Sequence, residues 1–311
     1  MTEAIPGRAR LAFMVMLAAP LLFSTNLIFG RGVIGAVSPF TLAFLRWLAV
    51  AAVLSPFMLM ERAALKRTLA GNGLLVALAA FLGMWICGGV VYLGLQWTTA
   101  TNGTLIYTTS PVLILLMEAA FRGRRIGVRE AIGAAIALTG VAIIVLRGEP
   151  AALLSLSFNT GDLLFVAAAI SWAAYSLLVR TPGLQGLSNA TVLGLLAAAG
   201  AVLLLPAALY EWASGGHMPV TAEAWGGIAG IVVFSSLLAF SAFQFGVREL
   251  GPSLAGVFMY LLPPCGVLMA VLFLGERLQL FHLAGIALVM GGVVLATLPA
   301  GWFRRGPRRR S

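Results

Sequence analysis

The sequence predicts an all-α membrane protein with ten transmembrane helices, and three observations carry that reading. Hydrophobic residues make up 61% of the 311 and charged residues only 10%. A soluble domain carries about 25% charged residues to cover its surface. The apolar residues also fall into ten long runs, each near the roughly 20 residues that a helix needs to cross a hydrocarbon core about 30 Å thick. The Lys and Arg residues, finally, gather between the runs and at their ends, with Arg46 the exception inside one.

The runs lie at 11–30, 38–60, 73–95, 98–121, 130–147, 161–180, 188–211, 222–247, 252–274 and 279–299. All are read as helices. In lipid only helices and closed barrels satisfy their backbone polar groups, and these runs lack a barrel's alternation. The first follows Arg8 and Arg10, is too long for a cleavable leader, and leads directly into the second. Ser24, Thr25 and Asn26 interrupt it. The second opens on Ser38 and Pro39, a cap followed by the favoured first position. It carries Arg46 seven residues further on, about 10 Å down the helix. The third holds Trp85 and Tyr92, and the fourth holds Asn102, Thr104, Tyr107, Thr108, Thr109, Ser110 and Pro111. The fifth carries Gly133 and Gly140. Asp162 reads as the cap of the sixth, which continues with Trp172 and Tyr175. The eighth has a Gly226/Gly230 pair, then Ser235, Ser236, Ser241 and Gln244. The ninth holds Tyr260 and Pro263.

Charge sets the orientation. With the N-terminus inside, inner segments carry sixteen Lys and Arg residues and outer segments three. By the positive-inside rule both termini are then cytoplasmic. The net charge of +10 is thereby mostly topological and does not point to nucleic acid. The tail WFRRGPRRRS is suited to anionic lipid. Cys87 and Cys265 read as small buried hydrophobes. His217 and His282 stand apart with no metal-ligand spacing. No catalytic motif occurs, so neither an enzyme nor a cofactor is expected.

A repeat divides the helices. At an offset of 152, residues 111–142 align with 263–294 without gaps, and ten positions are identical. They include Pro111/Pro263, Phe121/Phe273, Arg125/Arg277, Gly133/Gly285 and Gly140/Gly292. This implies two five-helix repeats at 1–148 and 160–299, a linker at 149–159 and a basic tail at 300–311. Five is odd, so the second half enters the membrane from the opposite side. The charges agree: FRGRRIGVRE at 121–130 carries four Arg, whereas FLGERLQLFH at 273–282 carries one. Inverted repeats are a hallmark of secondary transporters, whose sites lie near the midplane between the halves.

Two stretches carry a family resemblance: LLFSTNLIFGRGVIGAVSPFTLAFLRWLAVAAVL in the first half, and GVRELGPSLAGVFMYLLPPCGVLMAVLFLGERLQLFHLAGIALVMGGVVLATL in the second. The chain resembles the drug/metabolite transporter superfamily, in its EamA-type branch of ten-helix permeases, over nearly its whole length. The Pro…Gly-Glu…Gly pattern of the ninth and tenth spans is the most specific part. The first half departs from it, with Arg124 where the family has Glu. Within the family the chain is most similar to bacterial aromatic amino-acid exporters. That resemblance implies a multi-pass protein of the bacterial inner membrane, exporting an amino acid from the cytoplasm; its oligomeric state is left open, a monomer included.

The candidate site follows. Arg46 either supports a substrate carboxylate, or holds carbonyls at a helix end, or snorkels outward; a charge at that depth normally faces protein or water. Asn26, Asn102, Ser241 and Gln244 are polar positions that need a partner or a wet cavity. Trp85, Tyr107, Trp172, Tyr175 and Tyr260 are aromatic faces for an apolar side chain, the normal lining of a small-molecule site. Pro111 and Pro263 read either as paired hinges or as static kinks. Glu118, one turn from Arg122, reads as an ion pair. The expectation is export of aromatic or hydrophobic amino acids by alternating access through a central pocket, with other amino acids or small metabolites as the alternative. A membrane lipid enzyme would need a His/Asp/Glu cluster at one face, which the chain does not offer.

Overall fold

A computed structural model of the chain describes residues 6–297 other than 31, 32, 34, 99, 150, 152–158, 275 and 276. Among the described residues, ten helices are long and apolar enough to cross a bilayer. They are α1 Gly7–Ser24, α2 Pro39–Met60, α3 Arg62–Gly94, α4 Asn102–Arg122, α5 Val128–Val145, α6 Thr160–Leu178, α7 Asn189–Ala213, α8 Ala222–Leu250, α9 Pro252–Phe273 and α10 Leu280–Thr297. The described residues contain no strand, and the protein is a multi-pass, all-helical membrane protein. The tail at 300–311 and most of the 149–159 linker lie outside the described residues. Because α1 and α10 run in opposite directions through an even number of spans, residues 6 and 297 lie at one end of the bundle. That end is the terminal end of the bundle.

One boundary moves substantially. The third helix starts at Arg62, not near residue 73, and runs 33 residues with a kink at Asn72, where φ is −136°. Its first turns carry Arg62, Lys66 and Arg67 and are too polar to register as a span, yet they remain helical.

The two halves interlock reciprocally. The most extensive packing joins α5 to α10 and α2 to α7. Next, α1 packs on α8 and α6 on α3, which is the same contact with the halves exchanged. Glycines bring α5 and α10 together. A Cβ added at Gly133 would lie 2.6 Å from the Gly292 carbonyl oxygen, and one at Gly140 would lie 2.6 Å from that of Gly285. These four glycines are the repeat-equivalent pairs, so the approach is made twice by one duplicated feature.

The α2/α7 contact is sealed by carboxylates placed 150 residues apart, Glu61 and Glu211. The backbone N–H of Phe40 and that of Thr41, in the first turn of α2, donate to the Glu211 carboxylate at 3.0 and 2.7 Å. At the other end the Ser188 N–H, at the start of α7, donates to Glu61 at 3.0 Å. The orphan donors of a helix start are a ready site for a negative charge. Ser38 is the N-cap residue of α2 but its side chain does not cap that helix. Its hydroxyl instead accepts from the His217 N–H at 2.9 Å. The capping comes from α7.

Three spans are discontinuous. The helix of α1 is interrupted at Thr25, between Ser24 and Asn26. Within α4, helix stops at Tyr107 and resumes at Ser110; within α9, a 3₁₀ turn, Met259–Leu261, separates Phe258 from Leu262. Pro111 and Pro263 each sit just past such a break. A proline supplies no N–H to the carbonyl four residues earlier, here Tyr107 and Met259. Both α3 and α8 contain π-helical stretches, Phe81–Val90 and Ile231–Leu238.

Candidate functional site

Between the halves lies a cavity of about 480 Å³. Every discontinuity described above borders it. The α1 break supplies Ser24 and Asn26, the α4 break Tyr107, Thr108, Ser110 and Pro111, and the α9 break Met259, Leu262 and Pro263. The π segments add Cys87 from α3 and Ser235 from α8. Interrupted helices present unpaired backbone groups, which membranes tolerate only beside protein or a wet cavity. The lining reaches Leu95, Gly103 and Phe165, at the end of the bundle opposite the termini. Toward the terminal end the same helices are filled, with Tyr175, Phe243 and Phe258 wholly buried.

Arg46 is the one charged side chain among the described residues that line the cavity. It is 5% exposed. Its Nε donates to the Ser236 hydroxyl at 2.5 Å and its Nη1 to the Tyr92 hydroxyl at 3.2 Å. The guanidinium lies 4.8 Å from the Trp47 ring centroid and 5.7 Å from that of Phe240. Carbonyls at a helix end are therefore not what holds it. The two hydroxyls and two rings fix its plane, and no described carboxylate is paired with it. A buried guanidinium with no anion beside it strongly favours a ligand that brings one.

The floor is aromatic. Trp172 is 4% exposed. Around it stand Phe243 at 4.7 Å, Phe240 at 5.4 Å, Tyr175 at 5.5 Å, Phe23 at 6.1 Å and Tyr107 at 6.4 Å between centroids. Edge-to-face and tilted packing of this kind holds the indole rigidly.

The structure brings Asn26, Arg46, Tyr107, Trp172, Pro111 and Pro263 together around the cavity. It places six other candidates elsewhere. Trp85 stacks on Phe81 at 5.1 Å and against Phe40 at 5.3 Å, off the cavity wall. Ser241 gives its carbonyl to the Asn189 side-chain amide at 2.9 Å. The Gln244 amide donates to the Tyr175 hydroxyl at 2.6 Å, and both residues are wholly buried on the terminal side of Trp172. Tyr260 is wholly buried in the 3₁₀ turn, and Asn102 sits in the first turn of α4 without lining the cavity.

The reason is helical phase. A π segment closes i→i+5 bonds and advances fewer degrees per residue than an α-helix. The face of α8 that looks into the cavity is thus Ser235 and Phe240, not Ser241 and Gln244, and that of α3 is Cys87 and Val91, not Trp85. Phe23, Phe165 and Phe240 are cavity residues that the sequence reading passed over, because isolated phenylalanines are ordinary in any span.

Comparison with known proteins decides the family. The model of the EamA-like transporter family matches residues 10–146 and 159–298. The chain belongs to the EamA-like transporter family. Relatives include an uncharacterized transporter, YetK, of Bacillus subtilis, 25% identical over 295 residues, covering 92% of this chain and 87% of the relative. Another is a probable terminal-alkyne amino-acid exporter of Streptantibioticus cattleyicolor, 28% identical over 226 residues, covering 71% and 72%. A crystal structure superimposes with a TM-score of 0.73 at 22% identity, covering 95% of this chain and 99% of that one, a likeness of fold. The protein is a transporter of the drug/metabolite superfamily.

Proposed function

We propose that this EamA-family protein is a secondary transporter that exports aromatic and other hydrophobic amino acids across the bacterial inner membrane. It would alternate access to the cavity between its two halves, with both termini in the cytoplasm. The observation that carries the reading is the pairing, in one cavity, of a single unpaired cation, Arg46, with a rigid aromatic floor at Trp172. A carboxylate suits the first and a flat or linear apolar side chain the second. Neutral oxygens remain for an ammonium group, among them the Asn26 Oδ1, which is buried without a partner. The relative named as an amino-acid exporter supports the cargo class.

The test is flux. Purified protein in liposomes, given a panel of labelled amino acids, should move Phe, Trp and Leu but not Asp or Lys. Trp172→Ala should cut Phe and Trp flux by about tenfold, the scale of a lost aromatic contact. Equal flux of Asp and Phe, or undiminished Phe and Trp flux in Trp172→Ala, overturns the reading.

A further inference from the structure

The terminal end of the bundle is held shut by a charge cluster that the site does not use. Glu118, in the last turns of α4, is 4% exposed. Its carboxylate accepts from the backbone N–H of Ser253 at 3.2 Å and from the Ser253 hydroxyl, both in the first turn of α9. The Arg180 guanidinium, just past α6, stands 3.8 Å from one carboxylate oxygen, and that of Arg124 stands 3.7 Å from the other. Beside them Arg122 donates to the Leu177 carbonyl of α6 at 2.6 Å. One carboxylate therefore ties together the terminal ends of α4, α6 and α9, the three spans whose opposite halves line the cavity.

The duplication makes this informative. In two halves related by a repeat, a purely structural tie would be expected at both ends, as the Glu61/Glu211 caps and the paired glycines are. The Glu118 tie is made once. At the offset of 152 its repeat-equivalent position is Ala270, and those of Ser253 and Arg180 are Thr101 and Ile28. The opposite end has a different and smaller tie, the Thr98 hydroxyl donating to the buried Asp162 carboxylate at the start of α6. The end that carries the Glu118 cluster is packed, and the cavity lining extends toward the other end.

We propose that the Glu118 cluster is the gate of the terminal end, and that it must release Ser253 and Arg180 each time the cavity opens there. It rests on the reading of the protein as an alternating-access transporter. A buried carboxylate with two hydrogen bonds and flanking guanidiniums has two discrete states, engaged or released, the kind of element that makes a transition all-or-none. The engaged state biases the resting protein toward opening at the end away from the termini.

Solvent access reports the gate without knowledge of the substrate. Ser176, wholly buried in the terminal half of α6, becomes the reporter as Ser176→Cys in a Cys87→Ala/Cys265→Ala background, whose own flux and labelling are the reference because Cys87 lines the cavity. Glu118→Gln and Glu118→Ala should speed its labelling by a soluble maleimide about tenfold, since a hydrogen bond to a charged group is worth at least that factor. Unchanged labelling in both overturns the proposal. Destabilisation could also expose Ser176, so a second variant closes the gate. In Glu118→Cys/Ser253→Cys, oxidation to the disulfide should stop flux and slow Ser176→Cys labelling, and reduction should restore both; continued flux with the bridge formed overturns the gate. Failure of the amino-acid flux panel with these labelling changes intact would remove the substrate reading and leave the gate standing.

Discussion

At the scale of single residues, Arg46 shows what a sequence can and cannot say. A cation inside an apolar run is conspicuous, and its depth follows from the start of α2. Its partners do not, because Tyr92 and Ser236 lie 46 and 190 residues away. Arg46→Ala should raise the KM for a transported amino acid at least about 30-fold, the scale of a lost desolvated charge contact. Arg46→Lys keeps the charge but loses the fork that reaches both hydroxyls, and should recover part of that loss. Wild-type KM in Arg46→Ala would remove the residue from the site. The two capping carboxylates make a second residue-scale prediction. Glu211→Ala should lower stability by about 1–2 kcal/mol, the scale of a lost helix cap, read as a lower melting temperature in detergent. Glu61 also faces opposing influences: burial raises its pKa, but hydrogen bonds from Ser188 and Thr191 and the charge of Arg248 outweigh it and hold it below the ordinary carboxylate value. Its folded pKa is the lower one. Its contribution is therefore complete above the unfolded value and fades as pH falls through the folded value. Glu61→Gln should flatten that part of the melting-temperature profile.

At the scale of elements, the spans were legible and their phases were not. Nine of the ten helices lie near the apolar runs, because length and hydropathy fix what can cross a bilayer. The exception, α3, begins early because helix continues through its charged first turns. The π segments displaced the predicted faces of α3 and α8, and hydropathy carries no trace of one extra residue per turn. The prolines were readable as breaks, and the glycines as close packing, since both act through the backbone. The α5/α10 contact follows from this. Gly140→Leu would drive a side chain into the Gly285 carbonyl and should cost about 1–3 kcal/mol. Gly226→Leu, where an added Cβ meets nothing within 4 Å, should melt like wild type. Equal effects of the two substitutions would refute the packing argument.

At the scale of the molecule, orientation is a prediction that charge alone makes. Cysteines placed in the 214–221 connection should react with an impermeant maleimide from outside intact cells, and cysteines at 181–187 only after permeabilisation. The reverse pattern would invert the proposed direction of access. The sequence by itself determined the number of spans and marked Arg46 as a cation inside one of them, because hydrophobic length and an isolated charge are properties of the linear chain; the gapless repeat is the basis for proposing two halves. The tertiary structure decided which aromatics meet. It gathered Trp172, Tyr107 and Phe240 at a cavity and left Trp85 outside it. It also gave Glu118 to Ser253, Arg124 and Arg180, with Arg122, its predicted partner, donating instead to a carbonyl. Those choices depend on helix phase and on pairing between residues far apart in the chain, 55 positions for Arg122 and Leu177 and 135 for Glu118 and Ser253. Both are set by packing, where a rotation of less than one turn exchanges the face that meets substrate for the face that meets lipid.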